Sequence, residues 1–359
     1  MINDLCDLNP ELHINKSNIL NNYNISKSLS PKAKTFAVLK ANAYGCGLNN
    51  IANILRDCAD GFAVARWSEA IMLKTHSTIK QDILVLTGLY NKACYQQGLD
   101  LGIYSMIGND YQLNHYIKEI KLYHKPIYLK INTGMNRFGF SLNEADLVIN
   151  KLKRSGYQNI ILMSHCSSAL DQDSAHYTES QLKHINFLAE KHQCKFTIAN
   201  SPTAFFYQQF DLGYINRIGT ALYGHEINHS QLKPALALFA YILNIIHVKK
   251  GDYVGYSRGW QAPYNAKIAI LNFGYGDGLT HFPKKGAYLL IKNTPCSILS
   301  LTMDTMLVDV TSCPETLSIC DQIEIFGNHF SLESFSSAIG LSMDEILTQL
   351  SARVQRIIS

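Results

Sequence analysis

The sequence predicts an α/β chain, a (β/α)8 barrel over residues 1–232 followed by a mainly-β carboxyl-terminal domain over residues 233–359. Three observations lead there. Eight short apolar runs rich in β-branched and aromatic residues recur with room for a helix between each pair. That alternation stops near Leu232, and beyond it strand-like runs are separated by turn-rich segments without long helical patterns. A length of 359 residues suits a barrel of about 250 residues plus a second domain better than one core.

The eight runs are Thr35–Lys40 (TFAVLK), Gly61–Ala65, Ile83–Thr87, Gly102–Ile107, Ile127–Asn132, Ile160–His165, Phe196–Asn200 and Tyr214–Ile218. Successive parallel strands joined by helical crossovers close into a barrel whose chemistry sits at the carboxyl ends of its strands. In the second domain Ala240–Lys249, Lys267–Phe273 and Gln322–Phe326 read as strands, with turns at GDYVGYSRG (251–259), FGYGDG (273–278) and FGN (326–328). A closing helix over Ser342–Ser351 places Met343, Ile346, Leu347 and Leu350 on one face. An amino-terminal strand is expected to join this domain.

Hydrophobic residues at 47% and charged ones at 17% supply a buried core and exclude a disordered chain. A net charge of +4 argues against an extensive nucleic-acid surface. The nine cysteines are odd in number, with no C-x-x-C pair and no zinc-type Cys/His spacing, so reduced thiols in a cytoplasm and no metal are expected. The stretch MINDLCDLNP has neither a basic nor an apolar leader region. Ala235–Val248 is the most apolar segment, but Asn244 and His247 interrupt it and it falls short of the ~20 residues of a membrane helix. A soluble protein is expected.

Polar residues that are costly to bury collect at the ends of the barrel runs: Lys40, Lys130, His165, Asn200 and Arg217. A lysine at the end of TFAVLK would face the barrel mouth, where desolvation lowers its pKa and makes its amine a better nucleophile and base. From position alone, a lysine that snorkels to solvent is the plainer reading.

The residues after it change that balance. The segment AVLKANAYGCGL (37–48) resembles the cofactor-lysine motif of the alanine racemase family. The resemblance returns in LKINTGMNRFGF (129–140), MSHCSS (163–168), ANSPTA (199–204), NRIGTALYG (216–224), VGYSRGW (254–260), NFGYGDGL (272–279), LTMDTMLVDV (301–310) and SARVQR (351–356). It spans nearly the whole chain.

The resemblance implies a pyridoxal-phosphate enzyme interconverting L- and D-alanine, for D-alanine and peptidoglycan synthesis, built as a head-to-tail homodimer. Lys40 would hold the cofactor covalently and serve as the base on one face. Tyr256 of the partner subunit would serve the other face, with His165 and Arg217 helping a phenol whose free pKa is near ~10. Arg217 would face the pyridine nitrogen, where a guanidinium cannot readily give up a proton. Tyr44, Ser201, Gly219 and Thr220 would bind the phosphate, with Asn200 and His165 beside the cofactor. Arg137, Met303 and Asp304 would border the substrate carboxylate, and Tyr275 the entrance. Lys130 matches a position that carries a carbamate in some family members.

Without the resemblance, Ser201-Pro202 reads as an ordinary turn, Arg217 as a salt-bridge partner, Tyr275 as a core tyrosine, and Met303-Asp304 as a strand end. Four positions depart from the family's pattern: Ser257 stands where glycine is commonest, Thr302 where cysteine is usual, Cys46 in place of a frequent histidine, and Ala352 in place of an aromatic residue. Competing readings are a racemase of serine or broader specificity, a decarboxylase of the same build, and a cofactor carrier without activity. The decarboxylase's glycine-run phosphate loop and paired Cys/Asp motif are not evident, and Tyr256 in the second domain counts against a carrier.

Overall fold

The computed structural model describes residues 8–359 apart from 78, 120–124, 226, 228, 281–285 and 315. The chain begins with β1 (Glu11–Ile14) and α1 (Lys16–Ser28). There follow β2 (Lys34–Val38), α2 (Lys40–Tyr44), α3 (Leu48–Leu55), β3 (Gly61–Val64), α4 (Trp67–His76), β4 (Ile83–Val85), α5 (Lys92–Asp100), β5 (Ile103–Ile107) and α6 (Asp110–Glu119). Next come β6 (Ile127–Lys130), α7 (Leu142–Arg154), β7 (Ile160–Met163), α8 (Ala175–His192), β8 (Lys195–Thr197), α9 (Ser201–Phe206) and β9 (Ile215–Ile218).

Strands β2 to β9 form one parallel sheet in the order β8-β7-β6-β5-β4-β3-β2-β9. Its two ends meet: Tyr214 N–H donates to Phe196 O at 2.7 Å and Arg217 N–H to Ala199 O at 3.0 Å. This is a TIM barrel. Strands such as β3, β6 and β7 are buried at every residue, as a sheet covered on both faces requires. The outer helices carry local start signals. Before α7, Glu144 reaches back to accept from Ser141 N–H at 2.8 Å, and Ala145, Val148, Ile149 and Leu152 form the buried stripe that docks on the barrel.

The second part of the chain is β10 (Leu236–Val248), β11 (Tyr253–Val254), β12 (Trp260–Gln261), β13 (Ala266–Leu271), β14 (Tyr288–Ile291), β15 (Thr294–Leu301), β16 (Met306–Asp309), β17 (Gln322–Phe326), α10 (Leu332–Ile339), α11 (Met343–Gln349) and β18 (Gln355–Ile358). Its main sheet runs β14-β15-β16-β13-β10-β1-β18, with β17 also on β10. The apolar stretch after Ala235 is thus a 13-residue strand. Among the described residues no helix is long and apolar enough to cross a membrane. Helix α10 is not foreseen in the sequence reading, because eight residues carry little periodicity. Its ends are nonetheless marked, by Ser331 accepting from Ser334 N–H and by Gly340 in the left-handed region.

Two compact units result, one of residues 19–43 and 47–233, the other of residues up to Asn18, 44–46 and 234–359. Residues 44–46 belong with the second unit for identifiable reasons. Arg356 Nε donates to Gly45 O at 3.0 Å, and Gly45, at φ +80°, lies so close to the Leu347 carbonyl that a Cβ would collide with it.

Candidate active site

Strand β2 ends at Val38, so Lys40 stands just beyond it and opens α2. That element is a left-handed turn. Ala41, Asn42, Ala43 and Tyr44 have φ of 53°, 56°, 54° and 53°, a conformation that costs an ordinary L-residue about 1–2 kcal/mol. Strain of this kind persists where the surroundings over-determine the backbone, and such places cluster at functional sites. Here Ala43 O accepts from the buried Tyr223 hydroxyl at 2.7 Å, and Asn42 Oδ1 accepts from Leu48 N–H at 2.8 Å. Lys40 is exposed, while Tyr44 and Cys46 are buried.

The barrel interior gathers the other basic groups. Arg217 lies within β9 and is 3% exposed. Its guanidinium donates to Thr197 Oγ1, to Ser164 O at 2.7 Å and to Ile198 O at 3.1 Å, and faces His165 Nδ1 at 3.4 Å. Burial pushes its pKa down to about 10, which leaves it cationic at neutral pH. His165 Nε2 has the Asn200 amide at 3.2 Å. A neutral imidazole has one lone pair for these two donors, so only one contact is a hydrogen bond at a time. Burial first, then the charges of Arg217, Lys130, Arg137 and Lys40, hold His165 well below the ordinary histidine range. Lys130, the last residue of β6 and buried, is likewise depressed, by burial and then by Arg217 and Arg137. It shares a cavity of about 10 Å³, room for one water, with Arg137, Thr133 and Ser164.

Asn200 caps α9, its Oδ1 accepting from Thr203 N–H at 3.1 Å and from Thr203 Oγ1 at 2.7 Å. Ser201 Oγ then accepts from Gly219 N–H at 2.9 Å and from Ala221 N–H at 3.5 Å, so its own proton is left to donate. Ser201 and Thr220 are buried. Ser201, Gly219 and Thr220 thus form one cradle after β8 and β9, the place where this fold holds phosphate.

In the second unit Tyr256 stands on a tight turn and is 78% exposed. Tyr275 and Met303, both exposed, are joined through backbone: Tyr275 N–H donates to Thr302 O at 3.0 Å and Gly276 N–H to Met303 O at 2.8 Å. Asp304 accepts from Arg353 Nη1 at 2.8 Å. The structure therefore brings together Lys40, Lys130, Arg137, His165, Asn200, Ser201, Arg217, Gly219 and Thr220 within one unit. Tyr44, Tyr256, Tyr275, Met303 and Asp304 belong to the other. Sequence reasoning missed Thr197 and Ser164, which hold Arg217. Thr197 carries a signal, a small hydroxyl inside an otherwise apolar strand run, whereas Ser164 accepts through its backbone carbonyl, which any residue would offer.

Two family models match: the alanine racemase N-terminal domain over residues 14–227 and the alanine racemase C-terminal domain over residues 235–358. The chain belongs to the alanine racemase family. Among relatives, alanine racemase of Coxiella burnetii (strain CbuG_Q212) is 32% identical over 356 residues, covering 95% of this chain and 96% of that protein. Alanine racemase of Haemophilus influenzae is 31% identical over 347 residues, 93% of this chain and 94% of its own. The biosynthetic alanine racemase of Pseudomonas aeruginosa superposes with a TM-score of 0.89 at 28% identity, covering 98% of this chain and all of that one (100%). That of Bartonella henselae, which carries covalently bound pyridoxal phosphate, gives 0.89 at 26% identity over 98% of this chain and 100% of that one.

Two of the departures from the alanine racemase pattern, at Ser257 and Thr302, have local reasons. Ser257 has φ +55°, so the turn behind Tyr256 demands a left-handed residue, which glycine supplies at lower cost. Thr302 Oγ1 accepts from Thr305 N–H at 3.0 Å and closes a turn as a thiol would do only weakly. Cys46 is fully buried, with its Sγ at 3.7 Å from Tyr44 O, and that burial pushes its thiol pKa up and keeps it unreactive.

The depressed His165 has a consequence for stability. The unfolded chain takes up a proton near ~6.5 while the buried ring does not, so the unfolded state binds more protons and stability falls as pH drops through that value. The denaturant midpoint is expected to be lower at pH ~5.5 than at ~7.5, and His165→Asn should shrink that drop. An undiminished drop in the variant would mean that His165 is not the group responsible.

Proposed function

We propose that this protein interconverts L-alanine and D-alanine with pyridoxal phosphate held at the carboxyl end of the barrel. The observation that carries this reading is the convergence of Arg217, Lys130, Arg137 and Lys40 around His165, whose pKa they lower in addition to its burial. A site that gathers the Arg217 and Arg137 guanidiniums fits a phosphorylated, anionic cofactor, and the Ser201–Gly219 cradle supplies phosphate donors.

When bound, the cofactor makes the substrate Cα–H acidic by drawing the electron pair into its ring. The chain's own groups do the rest. Lys40 Nζ anchors the cofactor and moves the proton on one face. The Tyr256 hydroxyl moves it on the other, and the two must end each turnover with exchanged protonation states. Arg217, cationic and donating only, would face the ring nitrogen as a donor, and with such a partner the cofactor would supply a weaker electron sink. Neutral His165 carries the influence of Arg217 toward Tyr256. Tyr44, Ser201, Gly219 and Thr220 would hold the phosphate beside Asn200; Arg137, Met303 and Asp304 would border the substrate carboxylate, and Tyr275 would line the entrance.

The high exposure of Tyr256 and Met303 supports a head-to-tail homodimer in which each completes its partner's site. A cytoplasmic enzyme supplying D-alanine for peptidoglycan accords with this reading. Chiral chromatography of L-alanine incubated with the purified protein tests it; an unchanged enantiomer ratio would refute it.

Lys130 is read as a carbamate. Burial, with Arg217 and Arg137 beside it, lowers the pKa of this amine and so raises its nucleophilicity toward carbon dioxide; the new N–C bond forms with loss of a proton, and the product would be an anion that holds Arg137. In enzyme equilibrated with 13C-bicarbonate, a carbamate carbon resonance is expected, and it should be lost in Lys130→Ala. A spectrum without it would leave Lys130 an unmodified amine.

A further inference from the structure

Arg353 in the SARVQR segment joins the two parts of the second unit that carry Tyr275 and Asp304. Its Nε faces Asp277 Oδ1 at 3.0 Å and its Nη1 donates to Asp304 Oδ1 at 2.8 Å. Asp277 is fully buried at 0% exposure. Its Oδ2 accepts from Gly274 N–H at 2.8 Å, and its carbonyl accepts from Ser351 N–H at 2.9 Å. One side chain thus fixes the FGYGDG turn, while Arg353 carries the connection outward to the turn at 302–305. A Cβ on Gly276 would come within 2.7 Å of the Arg353 guanidinium and 2.9 Å of Met303 O, so glycine there is what lets the cation approach.

The charges call for this arrangement. Asp304 is 62% exposed, and a bare carboxylate there would repel an amino-acid carboxylate brought beside it. As an isolated ion pair the Arg353–Asp304 contact would add little stability. Its effect falls on the ligand. We propose that Arg353 is a positioning residue that neutralises Asp304 and locks the Met303–Asp304 backbone to the Asp277 turn, so that this border accepts the carboxylate of the amino-acid substrate. The inference rests on the reading that Met303 and Asp304 border that carboxylate.

Steady-state kinetics of the holoenzyme with L- and D-alanine, with cofactor content and melting temperature measured alongside, test it. Arg353→Met is expected to raise KM about tenfold or more and to change kcat far less. Asp304→Asn added to Arg353→Met should bring KM back toward the value of Asp304→Asn alone, since the uncompensated charge is then gone. Arg353→Lys keeps the cation but cannot reach both carboxylates in the same fork geometry, and should fall between; it also carries the test if the methionine variant does not fold. If Asp304→Asn moves KM and neither Arg353 variant does, the inference fails and the substrate-border reading stands. If no variant at either position moves KM, that reading fails and takes the inference with it. Loss of cofactor and melting temperature with parallel changes in kcat and KM, unrelieved in the double variant, would make Arg353 a structural residue only and overturn the proposal.

Discussion

Lys40→Ala is expected to abolish racemisation of alanine, with a fall of at least about 10⁴-fold. Two functions vanish together: the covalent hold on the cofactor and the base on one face of the substrate. Such a loss exceeds that of a binding residue, because positioning and proton transfer are removed at once. The left-handed turn that follows Lys40 is held by Tyr223 and by the Asn42–Leu48 contact, neither of which involves the lysine side chain as donor. The variant should therefore fold with a near-normal melting temperature. Borohydride reduction followed by mass measurement should show a cofactor adduct on the wild-type chain and none on the variant. Residual racemisation near the wild-type rate would remove Lys40 from the mechanism.

Tyr256→Phe is expected to lower kcat by about 10²–10⁴-fold, the usual contribution of one positioned acid/base group, while the cofactor stays bound. At 78% exposure the phenol makes little contribution to the fold of its own unit, so the loss should be catalytic and not one of stability. The two variants together report on the assembly. If Tyr256 serves the neighbouring subunit, mixing the inactive Lys40→Ala and Tyr256→Phe proteins under conditions of subunit exchange creates one intact site per mixed dimer, and about a quarter of wild-type activity should return. No recovery despite demonstrated exchange would place lysine and tyrosine of each site on the same chain.

Most of the barrel is legible in the sequence because a closed parallel sheet buries both faces of every strand. The eight observed strands begin within one residue of the runs read from apolar content. Their carboxyl ends are less legible, and the reason is functional. Thr35–Lys40, Ile160–His165 and Phe196–Asn200 look continuous, yet β2, β7 and β8 end two to three residues earlier. The terminal residues there lie beyond the strand ladder, and no change of composition marks that point. Lys40, His165 and Asn200 are legible as costly polar residues at apolar run ends. The network around Arg217 that lowers the His165 pKa is not, since Thr197 and the Ser164 carbonyl come from different parts of the barrel and meet Arg217 only through its closure. The turn at Ala41–Tyr44 is the least legible of all: KANAY has the composition of an ordinary right-handed helix, and its handedness is imposed by contacts that are distant in sequence.

That handedness has an energetic consequence. Three L-residues other than asparagine, Ala41, Ala43 and Tyr44, are held in the mirror-image basin, at a combined cost of about 3–6 kcal/mol. A whole domain is stable by only about 5–15 kcal/mol. The segment cannot seed folding or keep its shape as an excised peptide, and it should order only after the sheet around it has assembled. The reactive amine is thereby set in place late, by a stretch of chain coiled in the sense that D-alanine itself would prefer.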